Sequence, residues 1–157
     1  MNKILLKILF FWQKPKIAVV TAGNLELVRK FIFRVLGNPV LLEKKVLITN
    51  YREQFLPGKK KFLVLDWDDE NIRRIGRPDS VKVLTFGFRA DADFRASDVR
   101  INGGINFKIN YQGNIVPVWL ENFSGQEHIH AALAAAAVGE ILDLNLVEVS
   151  EALRDLQ

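Results

Sequence analysis

A short, unbroken apolar run, Ile17–Thr21 (IAVVT), is followed at once by the turn Ala22-Gly23-Asn24 and then by the amphipathic stretch Leu25–Leu36. No other feature limits the possible folds as much. A strand that is apolar at every position must be covered on both faces, as the inner strands of parallel sheets are. In the stretch that follows, Leu25, Val28, Ile32 and Val35 share one helical face, and Gly37 stands where a helix stops. Strand, turn and helix are the start of a βαβ unit. Further short apolar runs lie at Val46–Thr49, 62–65 and 81–86. Between the last two, Asp66-Trp67-Asp68-Asp69 leads into a short helix, Glu70–Ile75, closed by Gly76, while Pro57-Gly58 and the lysines at 59–61 form an exposed loop.

Past Gly87 the pattern changes. Val99 and Ile101 alternate with polar residues up to Asn102-Gly103-Gly104, and Ile105, Phe107, Ile109 and Tyr111 alternate up to Gln112-Gly113-Asn114, before a third segment at 115–120. Two glycine turns between segments of period two predict an antiparallel meander. Gly125 precedes an alanine-rich helix over 126–142, whose small side chains suit close packing on a sheet, and a last short helix covers 146–156. The predicted class is α/β: a mostly parallel sheet flanked by helices, an antiparallel three-stranded meander and two C-terminal helices.

At 157 residues the chain has enough apolar material for one core. It has no cysteine, which excludes disulfides and thiolate metal sites and fits a reducing compartment. Residues 1–62 hold 13 Lys/Arg against 3 Asp/Glu, and residues 63–157 hold 9 against 15. That asymmetry suits either an anionic partner for the front of the chain or attraction between the two halves of one fold. The segment at 1–14 carries Lys3, Lys7 and Lys14 among Leu, Ile, Phe and Trp. It reads as an amphipathic helix that either lies on an anionic membrane surface or packs on the domain, and its apolar run is far below the ~20 residues needed to span a bilayer.

The motifs resemble the middle, ATP-binding domain of the Mur ligase family. Leu63-Val64-Leu65-Asp66-Trp67-Asp68-Asp69 resembles that family's strand followed by Asn-x-Asp-Asp, and Leu84-Thr85-Phe86-Gly87 its Thr-Phe-Gly strand. Ala90-Asp91-Ala92-Asp93 leads into a meander as the family's segment does, and residues 125–139 (GQEHIHAALAAAAVG) resemble its Gly-x-His-Asn-x-x-Asn-Ala-Leu-Ala-Ala helix. Lys14-Pro15-Lys16 with the strand after it, and the helix from Leu25, resemble the elements on either side of the family's phosphate loop. The likeness is greatest to the type that adds D-alanyl-D-alanine to the cell-wall precursor. It implies a P-loop-like fold, a domain over 15–157, a cytoplasmic location, and a nucleotide site at Thr21, Gly23, Asn24, Asp66, Asp68, Asp69 and His128.

The resemblance also implies ATP and magnesium as cofactors of a working site, but the residues depart from the pattern where those would be held. The family's Gly-x-x-Gly-Lys-Thr/Ser falls on Ala22-Gly23-Asn24-Leu25-Glu26-Leu27, so Glu26 replaces the lysine and Leu27 the hydroxyl that meets magnesium. Glu127 stands at the helix motif's His, His128 at its first Asn, Ala131 at its second, and Asp66 at the Asn before the acidic pair. Only 11 residues separate Asn50 from Phe62, where the family carries a magnesium-binding glutamate and a lysine that becomes carbamylated. These departures predict a non-catalytic scaffold or binding module near the cell-wall machinery, with a cell-wall ligase or another cell-wall protein as partner and no cofactor of its own. Two alternatives stay open: an ATP-dependent ligase completed by a partner chain, and a peripheral membrane protein at the inner face of the membrane. His128 and His130 are two apart, so on a helix they diverge and do not chelate together. Asp91, Asp93 and Asp98 lack EF-hand spacing, and Lys59–61 without interleaved aromatics does not indicate nucleic acid. No metal site is expected.

Overall fold

The computed structural model describes residues 17–37, 46–49, 61–79 and 81–156. The basic segment 1–14 and most of the short stretch between Asn50 and Phe62 lie outside these residues. In chain order the elements are β1 (Ile17–Thr21), α1 (Leu25–Leu36), β2 (Val46–Thr49), β3 (Lys61–Asp66), α2 (Glu70–Ile75), β4 (Lys82–Gly87), β5 (Phe94–Ile101), β6 (Gly104–Tyr111), β7 (Asn114–Glu121), α3 (Gln126–Ile141) and α4 (Leu146–Arg154). The α/β class expected from the sequence is the class observed. The parallel strands and the meander join in one seven-stranded sheet in the order β2-β1-β3-β4-β5-β6-β7. The join is β5, which runs parallel to β4 through Phe86–Phe94 and Gly87–Arg95 and antiparallel to β6.

The change of texture along the chain follows from what covers the sheet. Ala18, Val20, Val64, Leu84 and Phe86 face the main core, while Val19, Leu63 and Leu65 face a smaller cluster with Ile72 of α2. Strands covered on both faces have no polar face to show. Among the described residues, only one face of the meander is covered. Phe94, Ala96, Ile105, Phe107, Ile109, Val118 and Leu120 point into the core, and on the other face Ile115 and Trp119 are 59% and 36% exposed. The β6–β7 turn places Gln112 and Gly113 at φ of 48° and 79°, the pair of positive values that a two-residue hairpin turn needs to match strand twist.

α3 is the hub. Ile129, Ala131–Ala137, Val138, Gly139 and Ile141 are all buried, as in a helix surrounded by other elements. It packs against α1, α4 and strands β1, β3, β4 and β5. α4 starts on a capping box, with Asn145 Oδ1 accepting from Glu148 N–H and Glu148 accepting from Asn145 N–H. It lies along β7, where the Ser150 hydroxyl donates to the Pro117 carbonyl at 2.6 Å.

Candidate functional site

In a parallel sheet a ligand crevice opens beyond the carboxyl ends of the strands, where the strand order reverses. Here β1 leads outward to β2, and β3 starts on the other side of β1. The reversal therefore lies between β1 and β3, and Thr21 and Asp66 end those two strands. Thr21 ties the strand ends together: its hydroxyl accepts from Asp66 N–H at 3.1 Å and donates to the Val64 carbonyl at 3.4 Å.

The turn after β1 is an ordinary helix start. Asn24 is the N-cap of α1, and its Oδ1 accepts the Leu27 N–H at 3.0 Å. Capping by Asn satisfies one of the amides that a phosphate would otherwise meet at a helix N-terminus. Glu26 is exposed in the first turn, where a negative side chain favours the helix dipole and opposes an incoming anion. A side chain at Gly23 would meet nothing within 4 Å.

Asp69 caps α2, accepting from Asn71 N–H at 2.8 Å and Ile72 N–H at 3.4 Å. Asp68 turns the other way and anchors the segment after β4: its Oδ2 accepts from Phe88 N–H at 2.8 Å and its Oδ1 from Arg89 N–H at 3.3 Å. The backbone at Gly87 comes so close that a Cβ there would lie 2.7 Å from the carboxylate. Asp66 Oδ1 accepts from Asp68 N–H at 3.0 Å. Burial pushes the Asp66 carboxyl above its ordinary range, against the lowering pull of His130 and of that hydrogen bond.

The two histidines of α3 go to different places. His128 sits beside Phe31 and Phe123, with Nδ1 3.2 Å from the Gly125 carbonyl. His130 lies edge-on to Phe86 and Phe88, and its Nε2 is 2.8 Å from Asp68 Oδ2 and 3.9 Å from Asp66 Oδ1. Of the residues that the sequence marks for a nucleotide, the structure brings Thr21, Asp66 and Asp68 together. Asn24 and Asp69 are helix caps, and His128 is in an aromatic contact. His130, which the sequence did not single out for a site, joins Asp66 and Asp68. Its partners are 62 and 64 positions away, and the only signal was a second histidine in the polar first turns of an alanine-rich helix.

The acidic residues that follow are paired separately. Asp91 accepts from the Trp67 indole at 3.0 Å, a bond that holds its carboxyl below the usual range. Asp93 bonds Thr85 and Arg77, and Asp98 meets Lys108 at 2.6 Å.

No family model matches the chain. It is similar to UDP-N-acetylmuramate–L-alanine ligase of Syntrophobacter fumaroxidans, with 30% identity over 153 residues, which is 94% of this chain and 30% of that protein. It is 37% identical over 94 residues to the protein of the same name from a Sulfurihydrogenibium species, covering 57% of this chain and 19% of that one. Its fold is similar to that of MurF from Acinetobacter baumannii, with a TM-score of 0.68 at 15% identity over 98% of this chain and 48% of that one. It is also similar to MurF from Thermotoga maritima in complex with ADP, with a TM-score of 0.66 at 11% identity over 98% of this chain and 51% of that one. The chain thus spans about a third of the first relative and about half of these solved neighbours. The order of its motifs, the sheet that carries them and these likenesses agree: the chain belongs to the Mur ligase family.

Proposed function

We propose that this chain is a Mur-ligase-like domain that does not itself catalyse ligation and serves as a scaffold or binding module beside the ligases of peptidoglycan-precursor synthesis. One observation carries the reading: the start of α1, where Glu26 occupies the place of the family's lysine and Asn24 takes the Leu27 amide. A phosphate oxygen ~4 Å from the Glu26 carboxylate, at an effective dielectric near 20, would be opposed by about 4 kcal/mol, and the lysine's attraction is absent as well. Leu27 offers no hydroxyl to a magnesium ion. The loop residues therefore do not fit magnesium-ATP as the family holds it. Isothermal titration with magnesium-ATP is the test. The expected result is no heat of binding up to millimolar nucleotide, and magnesium-dependent binding in the micromolar range would overturn the reading. The partner under this proposal is a cell-wall ligase or another cell-wall protein, on the cytoplasmic side of the membrane.

A second reading has a specific observation in its favour, since the relatives above are named as ligases. The chain would then be an ATP- and magnesium-dependent acid–amino acid ligase completed by a partner chain. Exposed Arg29 would replace the lysine, whereas Lys30 lies over the Phe123 ring at 5.9 Å. The motifs favour D-alanyl-D-alanine as the amino component, and the sequence relatives' name favours L-alanine. Release of ADP and phosphate with a muramyl peptide and one of these acceptors would establish it. Among the described residues no helix is long and apolar enough to cross a membrane. Contact of residues 1–14 with anionic lipid is a separate proposal, and it fails if their deletion leaves liposome binding unchanged.

A further inference from the structure

We propose that Asp66, Asp68 and His130 form a binding site for a single divalent metal ion of the zinc type. One donor atom from each residue lies within 4.8 Å of the other two. Asp66 at the end of β3 and Asp68 in the loop after it are close in sequence, and the fold brings His130 of α3 to them from 62 positions away. Zinc binds imidazole nitrogen and carboxylate oxygen at roughly 2.0–2.2 Å, which sets tetrahedral ligand atoms about 3.4 Å apart. The distances from His130 Nε2, 2.8 Å to Asp68 and 3.9 Å to Asp66, fall on either side of that value. Shifts of about half an ångström would bring both to it.

The other ring nitrogen strengthens the case. His130 Nδ1 is 3.2 Å from the Gln126 carbonyl oxygen. A carbonyl only accepts, so Nδ1 is the donor of that contact and Nε2 is the ring nitrogen that faces the carboxylates. An Nδ1–H held by a backbone carbonyl is the outer-shell arrangement that orients metal-bound histidine. Asp68 is held in place as well, by the Phe88 amide on the Oδ2 that faces His130, by the Arg89 amide on Oδ1 and by the close backbone of Gly87. Phe86 and Phe88 hold the imidazole edge-on. The ligands are therefore positioned before the ion arrives. Three protein ligands leave a fourth place for water, and one imidazole with two carboxylates suits zinc, cobalt or nickel better than magnesium, which prefers oxygen ligands alone. The site uses none of the phosphate-loop residues, so it stands or falls separately from the proposed function.

The test is competition between the whole chain and a chromophoric zinc chelator, with the visible spectrum of the cobalt-loaded protein as a second readout. One equivalent of zinc at micromolar or tighter affinity is expected, with tetrahedral cobalt bands and no displacement by millimolar magnesium. His130→Gln and Asp66→Asn should each weaken zinc binding at least tenfold and abolish the cobalt bands. His128→Gln, which changes the other histidine of α3, should leave both readouts intact. Asp66→Asn keeps an acceptor for the Asp68 amide, so it reports on the metal even if the histidine variant fails to fold. The proposal is overturned if the unaltered chain binds no stoichiometric zinc, if Asp66→Asn binds as tightly as the parent, or if His128→Gln loses as much as His130→Gln.

Discussion

Asp93 accepts the Thr85 backbone N–H at 2.8 Å and the Thr85 hydroxyl at 3.0 Å, and its own N–H donates to that hydroxyl at 2.9 Å. Thr85 is fully buried in β4, so it has no water to replace a lost partner. Arg77 reaches both groups, at 3.2 Å to each. Replacing Asp93 with alanine should therefore destabilise the protein by about 1–3 kcal/mol, the cost of stranding buried donors, measured by urea unfolding. Asp93→Asn keeps an acceptor and should lose less than half as much. Equal losses would mean that the Arg77 ion pair, not the Thr85 bonds, matters. Tyr111 sets a second expectation at this scale. It stacks on Phe94 with ring centroids 4.0 Å apart, and burial, with Glu140 adding to it, pushes its hydroxyl above the ordinary 10.0. A raised value means that the folded state favours the protonated form. The associated stability is complete below pH ~10 and is lost as pH rises through the folded value. Urea midpoints followed from pH 8 to 11 should fall more steeply for the parent than for Tyr111→Phe. Residue roles were legible only over short range. Asp69 stands just before a short helix, so its capping was open to a sequence argument. The partners of Asp93 and His130 are brought close only by the fold.

Elements were more legible than residues, because the period of burial is written into the chain. The unbroken apolar runs of β1 and β3 and the alternation of β6 gave their coverage correctly. The front of β5 was missed, and the cause is a bulge. Phe94 and Ala96 face the core, but Asp98 sits at φ 52° and the register shifts between Ser97 and Arg100. The next core-side residue is then Val99 rather than residue 98. Period two breaks at that step, so only the part after it reads as a strand. For α3, small side chains were expected to allow close packing on the sheet, and its one glycine, Gly139, makes a close approach to other helices. A Cβ at Gly139 would lie 2.9 Å from Val149 Cγ2 of α4 and 3.4 Å from Val35 Cγ1 of α1. Both neighbours are β-branched and buried, so neither can swing away. Gly139→Ala gains helix propensity but overpacks this junction, and a net destabilisation of about 1–3 kcal/mol is expected in thermal or urea unfolding. A neutral or stabilising result would show that α4 can move off α1 and α3 at little cost.

For the whole molecule, the question is whether the parallel half and the meander are one cooperative unit. Among the described residues the basic front and acidic rear meet in the Arg34–Asp155 pair at 3.8 Å, and an exposed pair of that kind contributes little. The strand contacts at the seam are also few, since β4 and β5 pair over only Phe86–Phe94 and Gly87–Arg95. What joins the halves is the core. A single cluster runs from Ala18 and Val64 through α3 to Phe107, Ile109 and Leu120, and α3 touches strands on both sides of the seam. Leu133 is fully buried on that helix. Leu133→Ala should destabilise by about 2–5 kcal/mol through lost burial and the cavity left behind. If the core couples the halves, that loss is shared, and native-state hydrogen exchange should show amides of β3 and β6 losing protection by the same amount. If the narrow seam governs instead, β6 and β7 would keep the parent's protection while β1 and β3 lose theirs. The single-unit reading of this fold would then have to be given up.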